Sequence, residues 1–152
     1  MPRDKNIIKI FDESCKSLLI LGAPGAGKTT LMLELAKELI DRALDDDCYP
    51  IPIVFKLSSW AKKRQHLEDW LLDELTGPIY KIPYNIAETL VSNNYLLPLL
   101  DGLDEISSEY RAECIRAINT YWNSLRPLVV CCRYAEYVDI KELLQVHNAI
   151  FI

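Results

Sequence analysis

The sequence lacks the long apolar run that a membrane span requires. No stretch reaches the roughly 18 consecutive apolar residues needed, and residues 1–13 do not contain the apolar core of a secretion signal. A basic excess is also missing, because 17 lysines and arginines are outnumbered by 22 aspartates and glutamates, which gives a net charge of -5. Such a chain has no overall attraction to nucleic acid. We therefore expect a cytoplasmic protein that does not bind membranes and does not bind nucleic acid directly.

Cysteine is present, but its pattern is not that of a metal site or a disulfide framework. The five cysteines are an odd number and include no CxxC pair. Cys131 and Cys132 lie in an apolar run, where reduced cysteine behaves as a small hydrophobic residue. The pattern therefore favours reduced thiols, as in the cytosol.

Short apolar runs alternate with segments of helical periodicity along the 152 residues. Strands are predicted at 17–21, 52–57, 95–101 and 128–132 and in the final AIFI. Helices are predicted from Lys28 to about residue 43, over 67–75 and 86–91, from Ser107 or Ser108 to Trp122, and over roughly 136–145. This alternation predicts an α/β fold with a parallel sheet covered by helices.

Two prolines qualify these predictions. Pro52, at the start of a predicted strand, favours an edge position, and Pro98, in the middle of another, predicts a bulge or a locally unpaired segment. Residues 1–15 are interpreted as a lead-in segment and residues 16–152 as the domain core. Because the last predicted strand is apolar and nothing follows it, we expect a domain excised from a longer polypeptide.

The segment GAPGAGKTT joins the first predicted strand to the first long helix, and it matches the phosphate-loop (Walker A) pattern GxxxxGK[ST] at every fixed position. Its glycines allow backbone N–H groups to turn inward around a phosphate, and the helix that follows adds its positive N-terminal dipole. Lys28 is expected to reach the β- and γ-phosphates and Thr29 to ligate Mg²⁺. The residues predicted to bind the nucleotide are Gly22, Ala23, Pro24, Gly25, Ala26, Gly27, Lys28, Thr29 and Thr30.

Acidic residues follow the predicted strand 95–101 in LLPLLDGLDEI. Asp101 lies at the carboxyl end of that strand, where open α/β sheets place their ligands, and we predict that it serves Mg²⁺. Asp104 and Glu105 are candidates for orienting or deprotonating an attacking water. The alternative for these two is a structural role as acids near a helix N-terminus.

Arg133 ends the predicted strand in VVCCR. In a parallel sheet its position faces the same crevice as the glycine-rich loop. A guanidinium there is suited to sense or neutralise the γ-phosphate, because its planar fork matches phosphate oxygens.

Taken together, GAPGAGKTTL, LLPLLDGLDEI and VVCCR resemble the NACHT branch of the STAND NTPases, a family related to the AAA+ ATPases. The resemblance runs from about residue 16 to the end. Its most specific feature is Gly102 directly after Asp101, with Asp104 and Glu105 behind. The family implies a three-layer P-loop NTPase fold with a mostly parallel five-stranded sheet, in which another strand separates the loop strand from the Asp101 (Walker B) strand.

The resemblance also implies a function. Residues 22–30 would wrap the phosphates of ATP or ADP, Asp101 would serve Mg²⁺, Asp104 and Glu105 would assist hydrolysis, and Arg133 would be the sensor of the γ-phosphate. The family uses ATP in signal transduction, as ADP holds a closed monomer and ATP permits homo-oligomerisation. Its helical and winged-helix modules are not contained in these 152 residues, so weak binding and slow hydrolysis are expected.

Two alternatives stay open at this point. One is a small-molecule kinase with the same phosphate loop, although residues 58–84 hold few basic groups for an acceptor lid. The other is a nucleotide-binding interaction platform with negligible turnover. A GTPase and an ABC-type ATPase are disfavoured because NKxD and LSGGQ do not occur.

Overall fold

The computed structural model describes residues 7–14, 16–25, 27–122, 126–140, 142–146 and 148–152. Within these residues the strands are β1 (Ser17–Gly22), β2 (Ile51–Lys56), β3 (Leu96–Asp101), β4 (Leu128–Arg133) and β5 (Asn148–Phe151). They form one parallel sheet in the order β2-β3-β4-β1-β5. This arrangement confirms the predicted α/β fold, and β4 is the strand that separates β1 from β3.

Helices connect the strands and cover the sheet. They are α1 (Ile7–Glu13), α2 (Lys28–Asp45), α3 (Leu67–Thr76), α4 (Tyr84–Ser92), α5 (Ser108–Trp122) and α6 (Tyr134–Val138). Two 3₁₀ turns span Leu57–Lys62 and Leu103–Glu105. Within the part of the chain that the structure describes, each helix is too short or too polar to serve as a membrane span.

The sheet has a hydrophobic core on each face, because successive side chains of a strand point to opposite sides. Leu18 and Ile20 of β1 belong to the core that packs under α1 and α2. Leu19 and Leu21 belong to the core under α3, α4 and α5. The result is the predicted three-layer architecture, with both faces of the parallel sheet buried.

The two strand prolines have different consequences. β2 is an edge strand, as Pro52 predicts. Pro98 causes no bulge on the β2 side, where the register is unbroken from Ile51↔Leu96 to Lys56↔Asp101. On the other side β3 pairs with β4 only at Leu99↔Val129 and Leu100↔Val130. The unpaired segment predicted from Pro98 therefore lies on the β4 side.

The helix predicted over 136–145 is wrong in extent. The observed α6 ends at Val138, and residues 142–146 are not helical, while Lys141 lies outside the described residues. The Asn119 side chain donates to the carbonyl of Leu143 at 2.9 Å and accepts the N–H of Gln145 at 2.8 Å. Bonds of this kind satisfy the backbone without a helix, so a tertiary contact overrides the periodicity.

The lead-in segment contains α1, which buries Ile7, Ile10 and Phe11 in the core under α2. The described cysteines, Cys48, Cys114, Cys131 and Cys132, form no disulfide with one another, and Cys15 lies outside the described residues. Burial raises the pKa of the Cys132 thiol to about 12. Cys132 is therefore an inert core residue rather than a reactive thiol.

Candidate functional site

The carboxyl ends of three strands bring the predicted site residues to one edge of the sheet. β1 ends at Gly22, β3 at Asp101 and β4 at Arg133. Gly22 and Arg133 are register partners on neighbouring strands. In open α/β sheets this edge is where ligands bind, so the topology collects at one place three segments that are distant in the sequence.

The described residues between β1 and α2, 23–25 and 27, belong to the glycine-rich loop. Gly25 and Gly27 have φ of 75° and 93°, and α2 begins at Lys28 directly after Gly27. Left-handed backbone at these positions orients successive N–H groups toward one point, as a phosphate-binding loop requires. Ala26, also predicted to bind the nucleotide, lies outside the described residues.

Lys28 contacts the loop that precedes it. Its Nζ donates to the carbonyl of Ala23 at 2.9 Å and to that of Gly22 at 3.3 Å. The lysine charge is thereby held over the start of the loop. Thr29 and Thr30, in the first turn of α2, are exposed, so their hydroxyl groups are accessible at the helix N-terminus.

Asp101 is half-buried at the end of β3. Burial and the neighbouring charge of Asp104 raise the pKa of its carboxyl, while Lys56 and Lys28 act in the opposite direction. A carboxylate whose ionised form is disfavoured in this way would gain from a bound cation. The influence of Lys28 also means that the phosphate loop and Asp101 share one electrostatic environment.

Gly102 turns the chain sharply after Asp101. Its φ is +85°, and a Cβ built on it would lie 2.9 Å from the carboxyl carbon of Glu105. A residue with a side chain would therefore be strained and would displace Glu105. The Glu105 carboxylate is exposed and folds back over this glycine. Local steric crowding thus explains why the motif has a glycine at this position.

Asp104 and Glu105 belong to the 3₁₀ turn Leu103–Glu105, whereas α5 begins only at Ser108. They therefore lie in the first turn of this short 3₁₀ segment and not at the N-terminus of α5. Asp104 instead contacts Arg133 twice. Its Oδ1 accepts the backbone N–H of Arg133 at 3.2 Å, and its Oδ2 lies 3.3 Å from the Nε of the guanidinium.

Two residues near this site carry no signal in the sequence. Arg111 of α5 donates from Nε to the carbonyl of Ile106 at 2.8 Å and from Nη2 to the carbonyl of Asp104 at 2.7 Å. Lys56, at the end of β2, is the register partner of Asp101. Neither belongs to a motif, and only the packing of α5 and the pairing of β2 with β3 bring them to the site.

An apolar cavity of about 360 Å³ lies beside the loop. The start of the loop, Gly22 to Pro24, forms one wall, and Arg133 and Tyr134 form another. Phe151 and Ile152 complete it at the end of β5, where the rings of Tyr134 and Phe151 meet edge to face with centroids 5.6 Å apart. The volume lies within the usual range for small-molecule sites.

The fold is that of P-loop nucleoside triphosphatases, and solved structures share it. The Aeropyrum pernix ORC1 protein, solved in complex with DNA, matches 91% of this chain and 41% of its own with a TM-score of 0.59 and 14% identity. The DnaC helicase loader matches 91% of this chain and 85% of its own, with a TM-score of 0.51 and 22% identity. C. elegans PCH-2 matches 96% of this chain and 40% of its own, with a TM-score of 0.54 and 15% identity. The chain thus spans about two fifths of the ORC1 and PCH-2 chains. No curated protein shows significant sequence similarity to it.

The NACHT domain family model matches residues 16–144. The chain therefore belongs to the NACHT family, as the three sequence motifs predict. It is a nucleotide-binding domain of the P-loop NTPase type.

Proposed function

We propose that this domain binds ATP with Mg²⁺ and hydrolyses it slowly, as the nucleotide-controlled part of a signalling or assembly switch. One observation carries the proposal. Gly22 of the phosphate loop and Arg133 are register partners on β1 and β4, and the Asp101 strand lies on the other side of β4. A phosphate bound in the loop would then lie between the lysine of the loop and the arginine of the neighbouring strand.

The residues at this edge suit Mg²⁺. A hard cation of this size takes oxygen ligands and keeps several of its waters, so the Asp101 carboxylate and the Thr29 hydroxyl are sufficient protein donors. The half-burial of Asp101 and its repulsion by Asp104 favour a counter-cation there. When bound, the metal would neutralise charge on the β- and γ-phosphate oxygens.

Each protein group has a separate task in this proposal. The backbone N–H groups of residues 22–30 hold the phosphates, and Lys28 exchanges its two carbonyl partners for phosphate oxygens. Arg133 neutralises the charge that grows on the γ-phosphate as water attacks in line, and an acidic residue of the turn 103–105 orients that water. Catalysis would come from positioning and charge neutralisation rather than from covalent chemistry.

The packing of residues 58–84 favours hydrolysis over the kinase alternative. A kinase needs an acceptor-binding lid there, yet Trp60 and Trp70 are almost fully buried and α3 packs into the main core. Residues 62–64 and 78–81 are exposed, but α3 itself is anchored in the core and is not free to move as a lid. The interaction platform with negligible turnover differs from the switch only in rate, and the rate is what has to be measured.

The first experiment is calorimetric titration of the domain with ATP, ADP and GTP, with and without Mg²⁺, beside Lys28→Ala. We expect Mg²⁺-dependent binding of the adenine nucleotides. The substitution removes charge-assisted hydrogen bonds worth roughly 1.5–3 kcal/mol and should weaken binding about ten- to a hundredfold. The matched control is Lys37→Ala, which removes an exposed lysine from the same helix and should leave the affinity unchanged.

Turnover then separates the alternatives. Slow release of phosphate to water supports the switch, transfer that requires an acceptor supports a kinase, and tight binding without release supports a platform. If a folded Lys28→Ala variant binds nucleotide as tightly as the unmodified domain, the assignment of the site is wrong.

A further inference from the structure

Asp104 and Glu105 are adjacent in the sequence, but their carboxylates lie in different surroundings. The Asp104 side chain is only 12% exposed, and both of its oxygens face N–H groups of Arg133. Glu105 is exposed, and its carboxylate forms no hydrogen bond or ion pair with another described residue. A group that orients water needs a free oxygen within hydrogen-bond reach of that water. Glu105 meets this requirement with an exposed carboxylate, whereas Asp104 is nearly buried and each of its oxygens already faces an N–H group of Arg133.

We propose that Asp104 is a positioning residue that fixes the sensor Arg133, and that Glu105 is the residue of the turn that orients the attacking water. This inference rests on the proposed function for the tasks of the two residues. The Asp104 carboxylate accepts a hydrogen bond from the backbone N–H of Arg133 and forms an ion pair with the side chain of the same arginine. Such a double contact fixes the main chain at the end of β4 and the direction in which the guanidinium leaves it.

The turn that carries Asp104 is itself held in place. The Arg111 side chain donates hydrogen bonds to the carbonyl groups of Asp104 and Ile106, one on each side of Glu105. Because Arg111 belongs to α5, these bonds fix the backbone of the turn to that helix. The second acidic neighbour of Arg133 is less well placed, because Glu136 Oε1 lies 3.8 Å from Nη1. Asp104 is therefore the contact that determines where the arginine lies, and Glu136 serves as a natural control.

The test is a double-mutant cycle read on two quantities, the ratio of the ATP and ADP dissociation constants and the hydrolysis rate. Arg133→Ala should reduce the preference for ATP over ADP about tenfold, because it removes a charge-assisted bond to the γ-phosphate. Asp104→Ala should reduce the preference by a similar factor, and the double variant should be no worse than either single variant. Asp104→Asn, which keeps one acceptor for the Arg133 backbone, should recover part of the preference.

Two further variants complete the design. Glu105→Gln should slow hydrolysis while it leaves the ATP to ADP ratio unchanged, and its effect should add to that of Arg133→Ala. Glu136→Gln should change either quantity less than about twofold. The inference is overturned if Asp104→Ala behaves like Glu105→Gln, with slower hydrolysis, an unchanged ratio and an effect that adds to that of Arg133→Ala.

A measurement without nucleotide keeps this inference separate from the proposed function. In the nucleotide-free domain, the NMR resonance of the Arg133 Nε–H group should shift in Asp104→Ala and stay in place in Glu105→Gln. A resonance that does not respond to Asp104→Ala contradicts the positioning role, whatever the domain binds. A domain that binds no nucleotide but shows this shift would contradict the proposed function and leave the Asp104–Arg133 contact established.

Discussion

Asp101 is half-buried and close to a second carboxylate, and both features disfavour its ionised form. Burial and Asp104 raise the pKa of Asp101, and Lys56 and Lys28 compensate only in part. The ionised carboxylate therefore costs the folded protein stability at neutral pH. Such a cost is typical of residues kept for binding rather than for folding.

At this scale we predict that Asp101→Asn raises the melting temperature of the nucleotide-free domain at pH 7, because the amide fits the same space without the charge. In the same variant, the stabilisation that Mg²⁺ adds in the presence of ATP should disappear. Thermal unfolding with and without Mg²⁺ and nucleotide measures both effects. A lower melting temperature in the absence of ligands would show that attraction to the charges of Lys56 and Lys28 outweighs the cost of burial.

The contact between α1 and α2 combines an apolar interface with one well-formed ion pair. Ile7, Ile10 and Phe11 are buried in the core under α2, and the two nitrogens of the Arg42 guanidinium bind the two oxygens of Asp12 at 2.7 and 2.6 Å. The hydrogen bonds from Arg42 lower the pKa of Asp12 below its ordinary value of 3.8. The ion pair therefore stabilises the folded state only where Asp12 is ionised.

At the scale of elements we predict that Asp12→Asn lowers the free energy of unfolding at pH 7 by up to about 1 kcal/mol, the usual limit for an exposed pair. Because the folded pKa is lowered, this contribution is present in full above the unfolded pKa near 3.8 and is lost as the pH falls through the folded value. The difference between variant and unmodified protein should therefore vanish at low pH.

Denaturant titrations at several pH values measure this difference. The control is Glu142→Gln, which removes a single 3.2 Å contact with Arg116 on the surface and should have little effect at any pH. A difference between Asp12→Asn and the unmodified protein that stays constant down to pH 2 would argue against the ion pair as its source.

The order of the strands brings the last described residues to the site, next to the start of the phosphate loop. β5 pairs with β1, and Ile152 donates its N–H to the carbonyl of Leu21 at 2.8 Å. The carbonyl of Ile152 then lies 2.8 Å from the place where a Cβ on Gly22 would be. Gly22, the first glycine of the phosphate loop, thus has no room for a side chain because of Ile152, the residue that follows β5.

At the scale of the whole molecule we predict that Gly22→Ala weakens nucleotide binding and lowers the melting temperature, because the new methyl group must displace either β5 or the loop. A second variant, Gly22→Ala in a chain that stops at Phe151, removes the clashing carbonyl and should recover most of the affinity. Calorimetric titration of the two variants with nucleotide measures the affinity that each retains. Equal losses in both would mean that the loop itself, rather than β5, excludes the methyl group.

Most of the architecture was predictable because its signals are local. β1, β3 and β4 are short apolar runs that end in a glycine or a charged residue, and α2 and α3 repeat leucine at helical spacing. α1 gave no such signal, since seven residues are too few for a reliable period. The error over 136–145 has the opposite cause, because a helical pattern was present and Asn119 satisfied the backbone in another way.

The sequence by itself determined the phosphate loop, the strand and helix alternation and the class of protein, because these depend on neighbouring residues and on the backbone freedom of glycine. Only the tertiary structure decided which of the site residues contact one another. The pairing of β1 with β4 places Arg133 beside the loop. The turn after Gly102 places Asp104 in contact with that arginine and leaves Glu105 exposed. Arg111 of α5 donates a hydrogen bond to the backbone of the same turn. Contacts of this kind join residues that are far apart in the chain, and their geometry exists only once the sheet has formed.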